Sequence, residues 1–320
     1  MRLRTLLVAL LAALAPLPAL AETGGAGAPA EAGVVHFAVG VRVLRYVDGS
    51  RLTRPRDRRP ATRVLPVVLR YPSTGAPAGR DAYGAAPARG AGPFPLIVFA
   101  HGFAVTPATY SRLLRAWVRA GYVVAAPVFP LENAAAPGGP DESDLVNEPG
   151  DISFVISKLL AASTAPGGAL SGLIDPSRVA VAGQSDGAIA ALSSAYARRM
   201  RDPRVRAAIV LSGAEMSGIG GYAFAPGEPP LLAVQGTADT TNEPRYTYAY
   251  FAAAARPKYL LRLLGAGHLP PYTSEQPQLS IVERSTVAFF DDYLRGQPAA
   301  AARLAAAGNA PGLASLAERP

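Results

Sequence analysis

The sequence predicts an α/β fold, a mostly parallel sheet with helices on both faces and no large lid domain. Three observations predict it. From Phe94 onward, short apolar runs alternate with helix-length amphipathic segments, the pattern of βαβ units. Two segments rich in β-branched and aromatic residues precede that alternation and read as an antiparallel edge. The longest connection late in the alternation, Ser212 to Pro230, is too short for a helical cap.

The elements follow in order. Val34 to Val47 reads as the first strand and Arg63 to Tyr71 as its partner, joined by a turn containing Arg51, Arg54, Arg56, Arg58 and Arg59. Residues 72–93 are crowded with Gly, Pro and Ala and read as a loop. Pro95 to Ala100 is a buried strand. Tyr110 to Ala120 is a helix with Leu113, Leu114, Trp117 and Val118 on one stripe. Tyr122 to Val128 is a strand, and Asp151 to Ala162 a helix with Pro149 just ahead of it. Arg178 to Ala182 is a strand, Ala188 to Met200 a helix, and Val205 to Leu211 and Leu231 to Val234 are strands. Tyr246 to Ala255 is a helix, Tyr259 to Leu264 a strand and Ile281 to Leu294 a final helix. No internal repeat interrupts the series, so residues 34–296 form one domain.

The two ends read differently. Arg2 and Arg4, an apolar run from Leu6 to Leu14 and Ala19-Leu20-Ala21 describe a secretory signal peptide over residues 1–21, cleaved near Ala21. The run is shorter than the roughly 20 residues a bilayer span needs, so no stable membrane anchor is expected. Residues 22–33 read as a flexible leader and residues 297–320 as an Ala-rich tail. The expected product is secreted, extracellular or periplasmic, and monomeric.

Composition excludes several chemistries. The 320-residue chain has no cysteine, which removes disulfides, thiolate metal sites and a cysteine nucleophile. Three histidines, His36, His101 and His268, are too few for a histidine-rich metal centre, so neither metal nor cofactor is expected. The net charge of +8 is carried mostly by scattered Arg, and with an export signal it reads as solvated surface rather than a nucleic-acid footprint.

The chemistry centres on Gly183-Gln184-Ser185-Asp186-Gly187. A Gly-x-Ser-x-Gly sequence is weak alone. Between a predicted strand and a predicted helix it becomes a sharp turn that exposes a nucleophile, with glycine on either side where a Cβ would clash. A serine needs a base. Imidazole titrates near neutrality, and His268, in Gly265-Ala266-Gly267-His268 directly after a strand, is the sole histidine downstream. Asp239, in Gly236-Thr237-Ala238-Asp239, falls between them in the chain and is favoured over Glu243 as the imidazole's acceptor. The backbone N–H groups of Asp186 and of Phe103, in His101-Gly102-Phe103, are the expected oxyanion donors, with His101 supporting the loop. Phe103, Phe129, Tyr222 and Phe224 are the expected walls of an open, shallow substrate site.

Together these residues resemble the α/β-hydrolase superfamily. They are most similar to its dienelactone-hydrolase-like branch, which includes bacterial relatives of platelet-activating-factor acetylhydrolase, chlorophyllase and cutinase-like polyester hydrolases. The segments that carry the likeness are Leu65 to Pro72, His101 to Phe103, Asn147 to Val155, Val179 to Gly187, Gly236 to Asp239 and Gly267-His268, spread over about residues 35–296. The resemblance implies cofactor-free hydrolysis of carboxylic esters, small or polymeric, through an acyl-enzyme on Ser185. It is not a full match. Gln184 stands where His is common, Asp186 where polyester hydrolases typically carry Met, and the disulfide of many secreted relatives is absent. An acyltransferase using the same triad stays open, as does an inactive binding protein, although intact Ser185, Asp239 and His268 argue against the latter.

Overall fold

The computed structural model describes residues 36–319 except Asp57; the expected signal peptide and leader lie outside the described residues. One ten-stranded sheet organises the chain, in the order β10-β9-β8-β7-β6-β4-β5-β2-β1-β3. The two early segments are β1 (Ala38–Thr53) and β2 (Ala61–Ser73), paired antiparallel, with the short β3 (Ala82–Tyr83) outside β1. β2 joins them to the parallel body through β5 (Val123–Pro127), again antiparallel. The body runs parallel through β5, β4 (Phe94–Ala100), β6 (Ile174–Gln184), β7 (Val205–Leu211), β8 (Leu231–Gly236) and β9 (Lys258–Leu263).

Alternation along each strand separates two cores. On one face Leu96, Val98, Val179, Val181, Val210 and Ala233 meet α2 (Glu148–Thr164), α3 (Asp186–Tyr196) and α4 (Pro244–Ala253). On the other, Ile97, Phe99, Ala180, Ile209, Leu232 and Val234 meet α1 (Ser111–Arg119), α5 (Pro270–Thr273), α6 (Gln278–Arg295) and α7 (Ala300–Gly308). Residues buried on both faces explain why the central strands read as continuous apolar runs. Fully buried Trp117 locks α1 to α6, donating from its indole N–H to Thr286 Oγ1 at 2.8 Å.

One expectation needs revision. Residues 297–320 are not a tail. They form α7, which packs against α6, and β10 (Ala314–Arg319), which pairs antiparallel with β9 from Ala314 opposite Leu263 to Arg319 opposite Lys258. The domain therefore runs past residue 296 to Arg319. The physical reason is the edge of β9, whose backbone groups need partners that the final segment supplies. The arginine-rich turn is solvated as expected at Arg54, Arg56, Arg58 and Arg59. Arg51 bonds Asp48 at 2.6 Å and Asp151 at 2.7 Å, and Arg56 bonds Asp141 at 2.7 Å. Arg63, fully buried on β2, is clamped by Asp144 and Asp151. Between β7 and β8 the chain carries no helix, so no lid covers the sheet edge there.

Candidate active site

The parallel strands deliver their C-terminal ends to one edge, and the loops leaving β4, β6, β8 and β9 meet there. β6 ends at Gln184 and α3 begins at Asp186, leaving one residue to turn the chain. That residue, Ser185, sits at φ 58° and ψ −124°, a region that non-glycine residues rarely occupy. The turn is tight enough to need both flanking glycines. A Cβ on Gly183 would lie 2.0 Å from the Gly187 carbonyl oxygen, and one on Gly187 would lie 2.2 Å from that of Ala100. Hydrogen bonds fix the elbow: the Ser185 N–H donates to Leu211 O at 3.0 Å, and the Ala188 N–H donates to Ser185 O at 2.9 Å.

Ser185 Oγ lies 2.9 Å from His268 Nε2, and His268 Nδ1 lies 2.8 Å from Asp239 Oδ2. The base and acid loops are fastened to one another. The Ala238 N–H donates to Ala266 O at 2.9 Å, and a Cβ on Gly236 would sit 2.5 Å from the carbonyls of Ala266 and Gly267. Burial alone would raise the Asp239 carboxyl, but the hydrogen bond and charge of His268 and the Thr241 N–H outweigh it and hold Asp239 below the usual carboxylate range. Glu243, the rival acceptor, is half exposed and pairs with Arg245 at 2.9 Å, away from the imidazole.

The predicted oxyanion donors lie on the two loops next to this group. Asp186 opens α3, so its N–H is one of the helix's free N-terminal donors. The Phe103 N–H is aimed by His101. His101 is fully buried, and its Nδ1 lies 2.9 Å from Gly102 O while its Nε2 accepts from the Phe129 N–H at 3.1 Å. With Nδ1 as donor and Nε2 as acceptor, the ring must be neutral. Burial lowers its pKa to about 4. Because the peptide is planar, fixing the Gly102 carbonyl also fixes the Phe103 N–H on the opposite side.

Among the expected walls, only Phe103 is exposed at the site. Phe129 is fully buried and packs on His101 with ring centroids 5.0 Å apart, so it supports the loop and does not line the site. Tyr222 and Phe224 are elsewhere. Tyr222 OH lies 2.9 Å from Ser193 Oγ, and Phe224 stacks on Tyr222 and packs against Tyr196. At 1.5 Å per residue, Ser193 is about 12 Å along α3 from Ser185, so the Ser212 to Pro230 connection closes over the far end of the helix.

Sequence reasoning missed Gln184. Its Oε1 accepts from Tyr110 OH at 2.6 Å, while its Nε2 donates to His268 O at 3.1 Å and lies 3.3 Å from His268 Nε2. Tyr110 OH accepts in turn from the Gly102 N–H at 3.3 Å. One buried amide thus ties the oxyanion loop, the elbow and the base loop together. The variable position of an elbow motif carries no sequence signal for that role.

Known proteins share parts of this sequence and fold. Residues 77–212 match the family model described as Chlorophyllase. A solved ferulic acid esterase from Streptomyces cinnamoneus superposes with a TM-score of 0.63 at 25% identity, covering 85% of this chain and 93% of that one. The chain has the α/β-hydrolase fold. No curated protein matches its sequence. Ser185 and its flanking glycines fall inside the segment matched by the family model, whereas Asp239 and His268 lie beyond it. Among its described residues, no helix is long and apolar enough to cross a membrane, and no cluster of His, Cys, Asp and Glu has the arrangement of a metal site.

Proposed function

We propose that this chain is a secreted serine carboxylic-ester hydrolase that works through an acyl-enzyme on Ser185. The observation that carries the reading is the continuous chain from Ser185 Oγ to His268 Nε2 at 2.9 Å and from His268 Nδ1 to Asp239 Oδ2 at 2.8 Å. As Ser185 Oγ attacks the ester carbonyl, its proton passes to His268 Nε2. The Nδ1–H donates to Asp239, whose ionised carboxylate stabilises the imidazolium. The carbonyl oxygen gains negative charge and accepts from the N–H groups of Phe103 and Asp186, each donor contributing about 2.7–4 kcal/mol. His268 returns the proton to the leaving alkoxide, leaving Ser185 acylated. Water then repeats the sequence with His268 as base, releasing the acid and restoring the serine.

Two features support an aromatic or extended acyl group over a deeply buried chain. No helical lid follows β7, and Phe103 presents an exposed ring beside the nucleophile. The solved structural neighbour is a ferulic acid esterase. The test is a panel of p-nitrophenyl esters, methyl ferulate and a polyester film, each with wild type and Ser185→Ala. Turnover lost on the order of 10⁴-fold or more in the variant, with its melting temperature retained, is the expected result. Turnover that survives in Ser185→Ala overturns the reading.

A further inference from the structure

Glu132 and Glu148 are unexplained by the reaction just described. Glu132 lies in the loop after β5 and Glu148 opens α2; both are fully buried. All four of their carboxyl oxygens are buried without a hydrogen-bond partner, and each carboxyl is among the groups that bear on the other. Two neighbouring buried carboxyls with no donor to serve them can bond to one another only if a proton is held between them. The groups that bear most on the pair are carboxyls too: Asp186 at the start of α3, Glu142 and Asp144 in the turn before α2, and Asp151 on α2 itself. The nearby cations are engaged elsewhere, Arg63 by Asp144 and Asp151, and Arg51 by Asp48 and Asp151.

The pair is placed to matter. The backbone carbonyl of Glu132 accepts the Ala104 N–H at 2.8 Å, next to Phe103, and Ala104 holds a left-handed φ of 56°. Asn133 continues the contact by bridging to Val105. Asp186, the other oxyanion residue, is near enough for its charge to act on both glutamates. The two carboxyls therefore lie between α2 and the segment that bonds the loop carrying Phe103, near the start of α3.

We propose that Glu132 and Glu148 form a protonated carboxyl pair that positions the oxyanion loop against the nucleophile elbow, and that ionisation of this pair in alkaline solution switches the site off. Loss of the proton breaks the carboxyl–carboxyl bond and leaves uncompensated charge in a dry interior, where it does not persist without rearrangement. It also adds negative charge beside the donors that must receive a developing oxyanion. Burial, then the neighbouring carboxylates, pushes both glutamates well above the usual carboxyl range, in keeping with protons held at neutral pH. Both residues are positioning residues: neither reaches the reacting atoms.

The inference rests on the serine-hydrolase reading, so the experiment separates the two. Hydrolysis of p-nitrophenyl acetate, corrected for the uncatalysed rate, is followed from about pH 7 to about pH 10 in wild type, Glu132→Gln and Glu148→Gln. Wild-type kcat/KM is expected to fall about tenfold or more across that range, mainly in kcat, and each Gln variant, whose amide N–H can donate to the remaining carboxylate so that its ionisation no longer breaks the bond, to hold within about twofold. Infrared spectroscopy of the unmodified protein provides a readout that needs no variant. A carboxylic-acid carbonyl band from a dry environment should be present at neutral pH and lost on alkalinisation. No alkaline fall in wild type, an equal fall in both variants, or no acid band overturns the proposal. So does loss of activity on chelation with recovery on adding Ca²⁺, which would mean the carboxyls hold a cation. Ser185→Ala isolates the other reading: it should retain the band and lose turnover, and turnover there contradicts the hydrolase without touching the pair.

Discussion

Acid should loosen this protein through His101, and the size of the effect follows from its surroundings. The ring is fully buried, neutral, and bonded at one nitrogen to the Gly102 carbonyl of its own loop and at the other to the Phe129 N–H after β5. Burial takes its pKa from an ordinary 6.5 down to about 4. The unfolded chain therefore binds a proton at this ring that the folded chain refuses. A depressed histidine pKa contributes stability that is present above pH 6.5 and is lost as pH falls toward 4. At about 1.4 kcal/mol for each tenfold change in proton affinity, the loss over that window is about 3 kcal/mol. Full burial means that little of this is screened by solvent. The assay is urea unfolding at several values between pH 7 and pH 4 on wild type and His101→Leu. The variant should be less stable at neutral pH, since it orphans the Phe129 N–H and the Gly102 carbonyl, but its stability should fall less steeply in acid. All other titrating groups are common to both proteins. Parallel stability curves for the two proteins would refute the reasoning.

Two further outcomes are expected. Asp239→Asn should lower kcat by about 10⁴-fold by leaving the imidazole in the wrong tautomer, whereas Glu243→Gln should stay within about twofold; steady-state kinetics on one activated ester decides, and the reverse ranking would move the acceptor role to Glu243. Gln184→Met keeps the side-chain volume and removes both of its bonds. It should cost about tenfold or more in kcat with little change in KM, and Tyr110→Phe added to it should cost much less than the two single changes combined, as in a coupled network.

Much of this architecture was legible in the residues themselves. The continuous apolar runs of β4 to β9 could bury on both faces only in a parallel sheet, and the spacing of Ser185, Asp239 and His268 put each at the end of a strand on one edge. What was not legible depended on tertiary contact. Ala314 to Arg319 has little β propensity and becomes a strand because the edge of β9 stands open beside it. Tyr222 and Phe224 lie in the expected connection, but nothing local says which end of α3 it covers. Glu132 and Glu148 look like ordinary surface charges, since burial of a carboxyl leaves no trace in the chain around it. Phe129 shows the reverse error. An aromatic placed beside the site in sequence was needed underneath it, as the platform for His101.

The central claim is that Ser185 forms a covalent acyl intermediate, and intact mass spectrometry tests it directly. The enzyme is mixed with excess p-nitrophenyl ester, quenched in acid within the first turnovers, digested and mapped. One added acyl group is expected, on the peptide carrying Gly183 to Gly187 at Ser185, and none in Ser185→Ala. Acylation at another residue, or rapid turnover with an unmodified Ser185 peptide and an active Ser185→Ala, would contradict it.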